Sequence, residues 1–270
     1  VAVAQAVAGG LAGRVVVVSG GGTGIGAASA ERLAADGASL VLVGRRREPL
    51  ERVAASTGAA VVVGDVADPA TSEGAVAVAR ERFGRIDAVV ANAGIEAMGA
   101  ALEVDLGEWH RVMEVNVDGV LHLCRAALPT MIEAGRGSIV VVSSVSGRAG
   151  APSYAAYVTS KTAVIGLVRS MAYDYGPSGV RVNALCPGWV ATEMSEREVE
   201  ALAELQGSTP EQARRSLVQH LPLGRMAEPS EIAGCVRFLV GDDSSFVTGA
   251  VLVADGGGEV VDVGTLAFRD

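Results

Sequence analysis

The sequence is almost without lysine: of its 22 Lys and Arg residues, only Lys161 is lysine and every other is arginine. Lysine carries a compact, titratable ammonium, whereas arginine is a permanently charged planar fork. A solitary lysine therefore marks a position where arginine would not serve. Aromatic residues make up only 4% of the 270 residues, so one substantial core has to be built from Ala, Val, Leu and Gly. Cysteine is scarce as well. Cys124, Cys186 and Cys235 are odd in number, far apart and outside any C-x-x-C spacing. That excludes a disulfide framework or zinc knuckle and fits a reducing, cytoplasmic setting. His110, His122 and His220 have no metal-ligand spacing, so no metal site is expected. No apolar run reaches the roughly 18 residues of a membrane span. The opening Val1–Leu11 is apolar, lacks a basic flank and reads as a frayed lead-in. The formal net charge of -9 opposes attraction to nucleic acid or an anionic membrane.

What is present is alternation. Short β-branched runs are separated by longer Ala-rich stretches of helical period, the pattern of βαβ units around a parallel sheet. The runs predict seven strands, at Arg14–Ser19, Ser39–Val43, Ala60–Gly64, Ala88–Ala91, Ser138–Ser143, Arg181–Cys186 and Ala250–Ala254. Right-handed crossovers turn these into an α/β, Rossmann-type doubly wound sheet, with helices on both faces and a ligand crevice beyond the strands' carboxyl ends. With no internal repeat or linker, residues 1–270 read as a single domain. Long helices are expected over Trp109–Glu133 and Ser153–Tyr175. Between Gly188 and Leu223 the chain turns polar, with a helix start written in Ser208-Thr209-Pro210-Glu211. Residues 189–222 are read as a helical lid over the crevice.

The run Ser19-Gly20-Gly21-Gly22-Thr23-Gly24-Ile25-Gly26 follows the first strand and opens a helix. Glycines there permit the tight turn and the close approach of a pyrophosphate to unpaired helix N–H groups. Two registers fit, Gly20/Gly24/Gly26 as GxxxGxG and Gly22/Gly24/Ala27 as GxGxxG/A, and both lead to a dinucleotide. At the second strand's end, where an acidic residue would accept from the ribose 2′-OH of NAD, the sequence reads Gly44-Arg45-Arg46-Arg47. Guanidinium forks suit a 2′-phosphate, so NADP(H) is favoured over NAD(H), although Thr23 leaves the glycine loop without a basic residue.

Tyr157 and Lys161 lie one helical turn apart, so the ammonium can approach the phenol. A free phenol titrates near ~10, and work at neutral pH needs a shift that a neighbouring cation can help supply. With the glycine loop, Gly64-Asp65-Val66, Asn92-Ala93-Gly94, Asn116-Val117-Asp118-Gly119, Ser143-Ser144 and Pro187-Gly188 with Thr192, this pair resembles the short-chain dehydrogenase/reductase family, from about Gly13 to Gly257.

The resemblance implies residue roles. Ser144, with Ser143 as a second candidate, would hydrogen-bond the reacting oxygen, and Tyr157 would be the general acid or base. Lys161 would lower the Tyr157 pKa and hold the nicotinamide ribose, and Asn116 would distort a helix and hold a relay water. Gly20, Gly22, Thr23, Gly24, Ile25 and Gly26 would cradle the cofactor, with Arg45 and Arg46 at its 2′ end. Asp65 and Val66 would meet the adenine, and Asn92, Ala93 and Gly94 would form the turn that the cofactor passes. Pro187, Gly188, Val190 and Thr192 would border the nicotinamide.

Such an enzyme would move a hydride between nicotinamide and a carbonyl or secondary alcohol. Met98, Ser146, Arg148, Ala149, Gly150, Pro152, Tyr154, Trp189 and Met194 are expected to line a moderately apolar pocket with few charges. A carrier-bound 3-oxoacyl substrate is a competing reading that needs a basic mouth. A dinucleotide sensor without turnover is another, but it would not need Ser144, Tyr157 and Lys161 together. The Ala-rich helices and the tail Glu259–Asp270 suggest interfaces of a homotetramer. Cys186 is read as a packing residue.

Overall fold

In the computed structural model, which describes residues 10–268, the strands are β1 Val15–Ser19, β2 Ser39–Gly44, β3 Ala60–Val63, β4 Ala88–Ala91, β5 Gly137–Val142, β6 Val180–Pro187 and β7 Val251–Ala254. All pair in parallel, in the order β3-β2-β1-β4-β5-β6-β7. Strand β1 shows why: its VVVVS run is buried at every position, as a strand covered on both faces requires. Val15 and Val17 enter one core while Val16 and Val18 enter the other, following the period-2 alternation of a strand. Each wholly buried valine contributes about 1.5–3 kcal/mol of transfer free energy, and an Asp in place of Val17 would bury an unpaired charge.

The first core is covered by α3 (Pro69–Phe83), α5 (Gly119–Glu133) and α6 (Ala155–Tyr175). The second is covered by α1 (Gly24–Ala35), α2 (Arg47–Thr57) and the helix Pro229–Val240. The sheet is therefore doubly wound. Its order reverses between β1 and β4, and the loops leaving these strands part there to open a crevice.

Three expectations are corrected. The long helix expected over Trp109–Glu133 starts earlier and is divided into α4 (Leu106–Met113) and α5 by a π-helical turn at Glu114–Asp118, a helix distortion at Asn116 of the kind the resemblance implied. Helix α6 begins at Ala155, because Ser153 takes a left-handed φ of 58° that no helix can include. The lead-in expected at Val1–Leu11 lies outside the described residues up to position 9. Leu11, however, is fully buried, and its N–H bonds Asp36 O at 3.0 Å.

The polar segment after β6 forms α7 (Glu193–Gln206) and α8 (Pro210–Val218), followed by Pro229–Val240 as α9. Thr209 caps α8, accepting from Gln212 N at 3.2 Å, with Pro210 in the first turn. The α7–α8 pair has its own small core of Val199, Ala203, Ala213, Val218 and Met226, with Trp189 packed against it.

Candidate active site

A cleft of about 840 Å³ runs along the carboxyl end of the sheet, from the glycine loop to the α7 helix. At its nucleotide end the backbone turns at Gly20 (φ 65°) and Gly24 (φ 53°). A Cβ on Gly26 would collide with Gly20 O and stand 2.6 Å from Asn92 Nδ2. The register that the structure uses is thus Gly20/Gly24/Gly26, while Gly22 abuts Pro49 on α2. Thr23 is the N-cap of α1 without a side-chain bond to it, so first-turn N–H groups remain available to an anion. Asn92 Nδ2 donates to Ser19 O at 3.1 Å and Gly20 O at 3.3 Å, and Ser19 Oγ accepts from Asn92 N and Ala93 N at 3.0 and 3.1 Å. The loops after β1 and β4 are stitched together by these bonds.

Gly20, Thr23, Gly24, Ile25, Arg45, Arg46, Asn92, Ala93 and Gly94 all line the cleft, as do Pro187, Gly188, Val190 and Thr192. Arg46 Nη2 contacts Thr23 Oγ1 at 3.5 Å and Glu193 Oε2 at 3.2 Å, tying the end of β2 to the first residue of α7. Thr192 caps α7, its Oγ1 accepting from Ser195 N at 3.3 Å. Asp65 and Val66 lie outside this lining. The Asp65 carboxylate accepts from Ala67 N at 3.0 Å and pairs with Arg111 on α4. Burial works against its ionisation, yet those two partners hold its pKa below the ordinary value. Val66 is buried where α5 begins, and a Cβ on Gly119 would stand 2.8 Å from its Cγ2.

At the centre of the cleft, Lys161 is 5% exposed and its Nζ donates to Val142 O at 3.0 Å. Burial pushes this ammonium down to about 8. Nζ stands 5.6 Å from the centre of the Tyr157 ring. The Tyr157 phenol is pushed above its ordinary value, first by burial; the hydrogen bond with Ser144 pulls it down, and Glu96 and Glu198 raise it further. In this arrangement the lowering influence on the phenol comes from Ser144, whereas the sequence had pointed to Lys161. Ser143 Oγ is committed to Lys161 O at 2.8 Å, so of the two serines it is Ser144 that faces the phenol.

Asn116 is buried in the π-helical turn. Its Oδ1 accepts from Ile95 N at 2.8 Å, and its Nδ2 donates to Ile95 O at 2.8 Å and Ser160 Oγ at 2.9 Å. A Cβ on Gly94 would stand 3.2 Å from Lys161 Nζ and 3.4 Å from Asn116 Oδ1, so a larger residue at this turn would crowd both groups.

The far end of the cleft is more charged than the sequence suggested. Ser146, Tyr154, Trp189 and Met194 line it as expected, joined by Glu96, Arg197 and Glu198. Met98 is 60% exposed and stands outside the lining, as do Arg148, Ala149, Gly150 and Pro152. Arg148 is drawn away by an ion pair with Glu259 at 2.6 Å. Glu198 was readable in principle, lying one helical turn beyond Met194 on the same face of α7. Glu96 lies two residues beyond Gly94. Arg111, far from Asp65 in sequence, had no local signal.

Comparison with known proteins agrees with this geometry. A family model described as enoyl-(acyl carrier protein) reductase matches residues 20–259. The chain is 38% identical over 252 residues to meso-2,3-butanediol dehydrogenase of Serratia marcescens, covering 92% of this chain and 96% of the relative. It is 41% identical over 251 residues to 2-(S)-hydroxypropyl-CoM dehydrogenase 3 of Xanthobacter autotrophicus, covering 90% and 95%. The crystal structure of levodione reductase superposes with a TM-score of 0.88 at 37% identity, over 93% of this chain and 99% of that one.

Proposed function

Because the chain belongs to the short-chain dehydrogenase/reductase family, whose members here are NAD(P)-dependent oxidoreductases acting on CH–OH groups, we propose that it is an NADP(H)-dependent ketoreductase and secondary-alcohol dehydrogenase. The carrying observation is that Ser144, the Tyr157 phenol and Lys161 meet in the cleft that begins at the glycine cradle, with Lys161 Nζ 5.6 Å from the centre of the Tyr157 ring. The cradle suits a dinucleotide, since only glycine at position 26 lets the turn close on Gly20 O and present the start of α1 to the cleft. When bound, the nicotinamide supplies the hydride donor or acceptor.

The chain's own residues handle the proton. Ser144 orients the reacting oxygen, and Tyr157 gives it a proton during reduction or takes one during oxidation. Lys161 holds the ribose and Asn116 carries a relay water toward it. Gly20, Thr23, Gly24, Ile25 and Gly26 hold the pyrophosphate, Pro187, Gly188, Val190 and Thr192 border the carboxamide, and Asp65 with Val66 serves the adenine. The NADP(H) preference is supported by Arg45 and Arg46 in the cleft wall with no carboxylate of β2 beside them. Residues 189–222 serve as the lid.

A carrier-bound acyl substrate has the description of the family model in its favour, but Arg148 is paired with Glu259 and the charge of Arg197 is opposed by that of Glu96, which disfavours docking of an acidic carrier. The sensor reading falls with the enzyme family. We further propose a homotetramer, supported by Tyr173 of α6 and by Val260, Val263 and Phe268 of the tail, exposed at 86%, 81%, 75% and 86%. The tail's last two residues lie outside the described ones. The free thiols support a cytoplasmic location. Among the described residues no helix is long and apolar enough to cross a membrane.

The test follows absorbance with NADPH and a panel of ketones and diketones, then with NADP and secondary alcohols, repeated with NADH and NAD. NADPH turnover at higher kcat/KM than NADH is expected. Nucleotide binding without turnover across the panel would overturn the activity. Light scattering that shows a monomer at micromolar concentration would overturn the assembly.

A further inference from the structure

The two arginines in the nucleotide end of the cleft wall are not equivalent. Among the described residues no ion pair engages Arg45, whereas Arg46 Nη2 contacts Thr23 Oγ1 at 3.5 Å and Glu193 Oε2 at 3.2 Å. Glu193 is the first residue of α7 and belongs to the same cleft wall. We propose that Glu193 determines how strongly the protein prefers NADP(H): its carboxylate occupies the guanidinium that the 2′-phosphate needs and has to be displaced when that phosphate binds. This rests on the NADP(H) reading above, which puts Arg46 at the 2′ end of the cofactor.

The elements fix the placement. Thr192 packs against the glycine loop, since a Cβ on Gly24 would stand 3.2 Å from its Cγ2. Glu193 therefore starts α7 beside that loop, and it borders both the cleft and a neighbouring recess walled by Gly22, Pro49 and Arg52. Arg46 comes from the end of β2, where it is the N-cap of α2. The pair thus meets at Thr23 of the glycine loop, beside the end of the second strand, which is where a dinucleotide fold recognises the ribose 2′ position.

To a guanidinium fork a carboxylate and a phosphate are alike, because both present paired anionic acceptor oxygens. They compete for the same N–H groups, and Nη2 of Arg46 has its two hydrogens directed to Thr23 and Glu193. The side chains of the pair are 63% and 57% exposed, so the bond is weak enough to be exchanged. A phosphate monoester carries more charge than a carboxylate and displaces it, but breaking the pair offsets part of the gain, and Glu193 stays nearby as a like charge. The neutral 2′-hydroxyl of NAD(H) leaves the pair as it is. Glu193 therefore weakens NADP(H) binding more than NAD(H) binding. The capping box of α7 is made by Thr192 and Ser195, so replacing Glu193 leaves the start of the helix in place.

The test measures dissociation constants, for NADPH and NADH by nucleotide fluorescence and for 2′,5′-ADP and 5′-AMP by calorimetry, in the parent, Glu193→Gln, Arg46→Gln and the double variant. Glu193→Gln should tighten NADPH and 2′,5′-ADP by about threefold or more, the scale of one exposed ion pair, while NADH and 5′-AMP change by less than about twofold. Glu193→Ala, which cannot reach Arg46, should give at least the same gain. In the Arg46→Gln background the substitution should no longer separate the two nucleotides. Glu196→Gln, which removes a neighbouring α7 carboxylate that is paired with Arg214 and lies outside the cleft wall, should leave the NADPH-to-NADH ratio at the parent value. An unchanged ratio in both Glu193 variants, an equal gain for both nucleotides, or a gain that persists without Arg46 would each overturn the role of Glu193 while the NADP(H) preference stands. NADPH binding as tight in Arg46→Gln as in the parent would instead overturn the placement of Arg46 at the 2′-phosphate.

Discussion

Replacing Lys161 with methionine should separate what this residue does for turnover from what it costs the fold. Burial lowers its ammonium from 10.5 to about 8, so the unfolded chain binds this proton more tightly than the folded one. Keeping the charge in the folded protein at pH 7 therefore costs about 3 kcal/mol. The sign is unambiguous: the cost is full below pH 8, shrinks between 8 and 10.5, and is gone above 10.5. Methionine removes the cost but leaves Val142 O without the donor now at 3.0 Å, a loss of about 1–3 kcal/mol. The net at pH 7 lies between no change and a stabilisation of about 2 kcal/mol, or a Tm increase of up to about 6 °C. Turnover should fall by about a hundredfold or more, as for loss of a proton-transfer partner. The assay is thermal unfolding of nucleotide-free parent and Lys161→Met at pH 7 and pH 10, alongside kcat/KM for one panel ketone. A variant that melts well below the parent at pH 7, a stability difference unmoved at pH 10, or undiminished turnover would refute the reasoning.

Other substitutions probe the rest of the cleft. Gly94→Ala places a Cβ 3.2 Å from Lys161 Nζ and 3.4 Å from Asn116 Oδ1; it should lower kcat at least about tenfold while the melting temperature moves by only a few degrees. Arg45→Glu with Arg46→Glu should reverse the cofactor preference, weakening NADPH by about two orders of magnitude against a smaller change for NADH, read as a ratio of dissociation constants by nucleotide fluorescence. Because the Tyr157 phenol is raised by burial above its ordinary 10, the folded chain keeps a proton that the unfolded chain loses. Its stabilising contribution is present below pH 10 and disappears as pH rises through the folded value. Ultraviolet difference titration of nucleotide-free parent against Tyr157→Phe should show no phenolate from this residue at pH 10.

The sheet was legible because most of its strands are runs of Val, Leu, Ile and Ala, and each predicted edge falls within one residue of the observed one. That Tyr157, Ser144 and the solitary lysine would meet in one cleft was legible as well. The π-helical turn was legible only as the distortion that the family resemblance implies at Asn116, because the hydrophobic period runs on through it; its form goes with the bonds that Asn116 makes with Ile95 and Ser160, distant in sequence. For the same reason the sequence left both serines and both glycine registers open. The bond from Ser143 to Lys161 O, and the contact of Gly26 with Gly20 O, exist only once the elements meet. Asp65 was read for adenine alone because its guanidinium partner arrives on α4. Nothing in the sequence singled out Glu198, and only the packing of α7 beside the cleft brings it to Tyr154.

The solitary, 5% exposed lysine also makes the molecule unusual toward reagents. Acylating dyes and amine-directed cross-linkers find no accessible ε-amino group along these 270 residues, so they could not join two copies of the chain through lysine pairs. Conversely, any slow acylation at position 161 reports a transient opening of the cleft, which makes this side chain a built-in monitor of breathing in an otherwise unreactive protein.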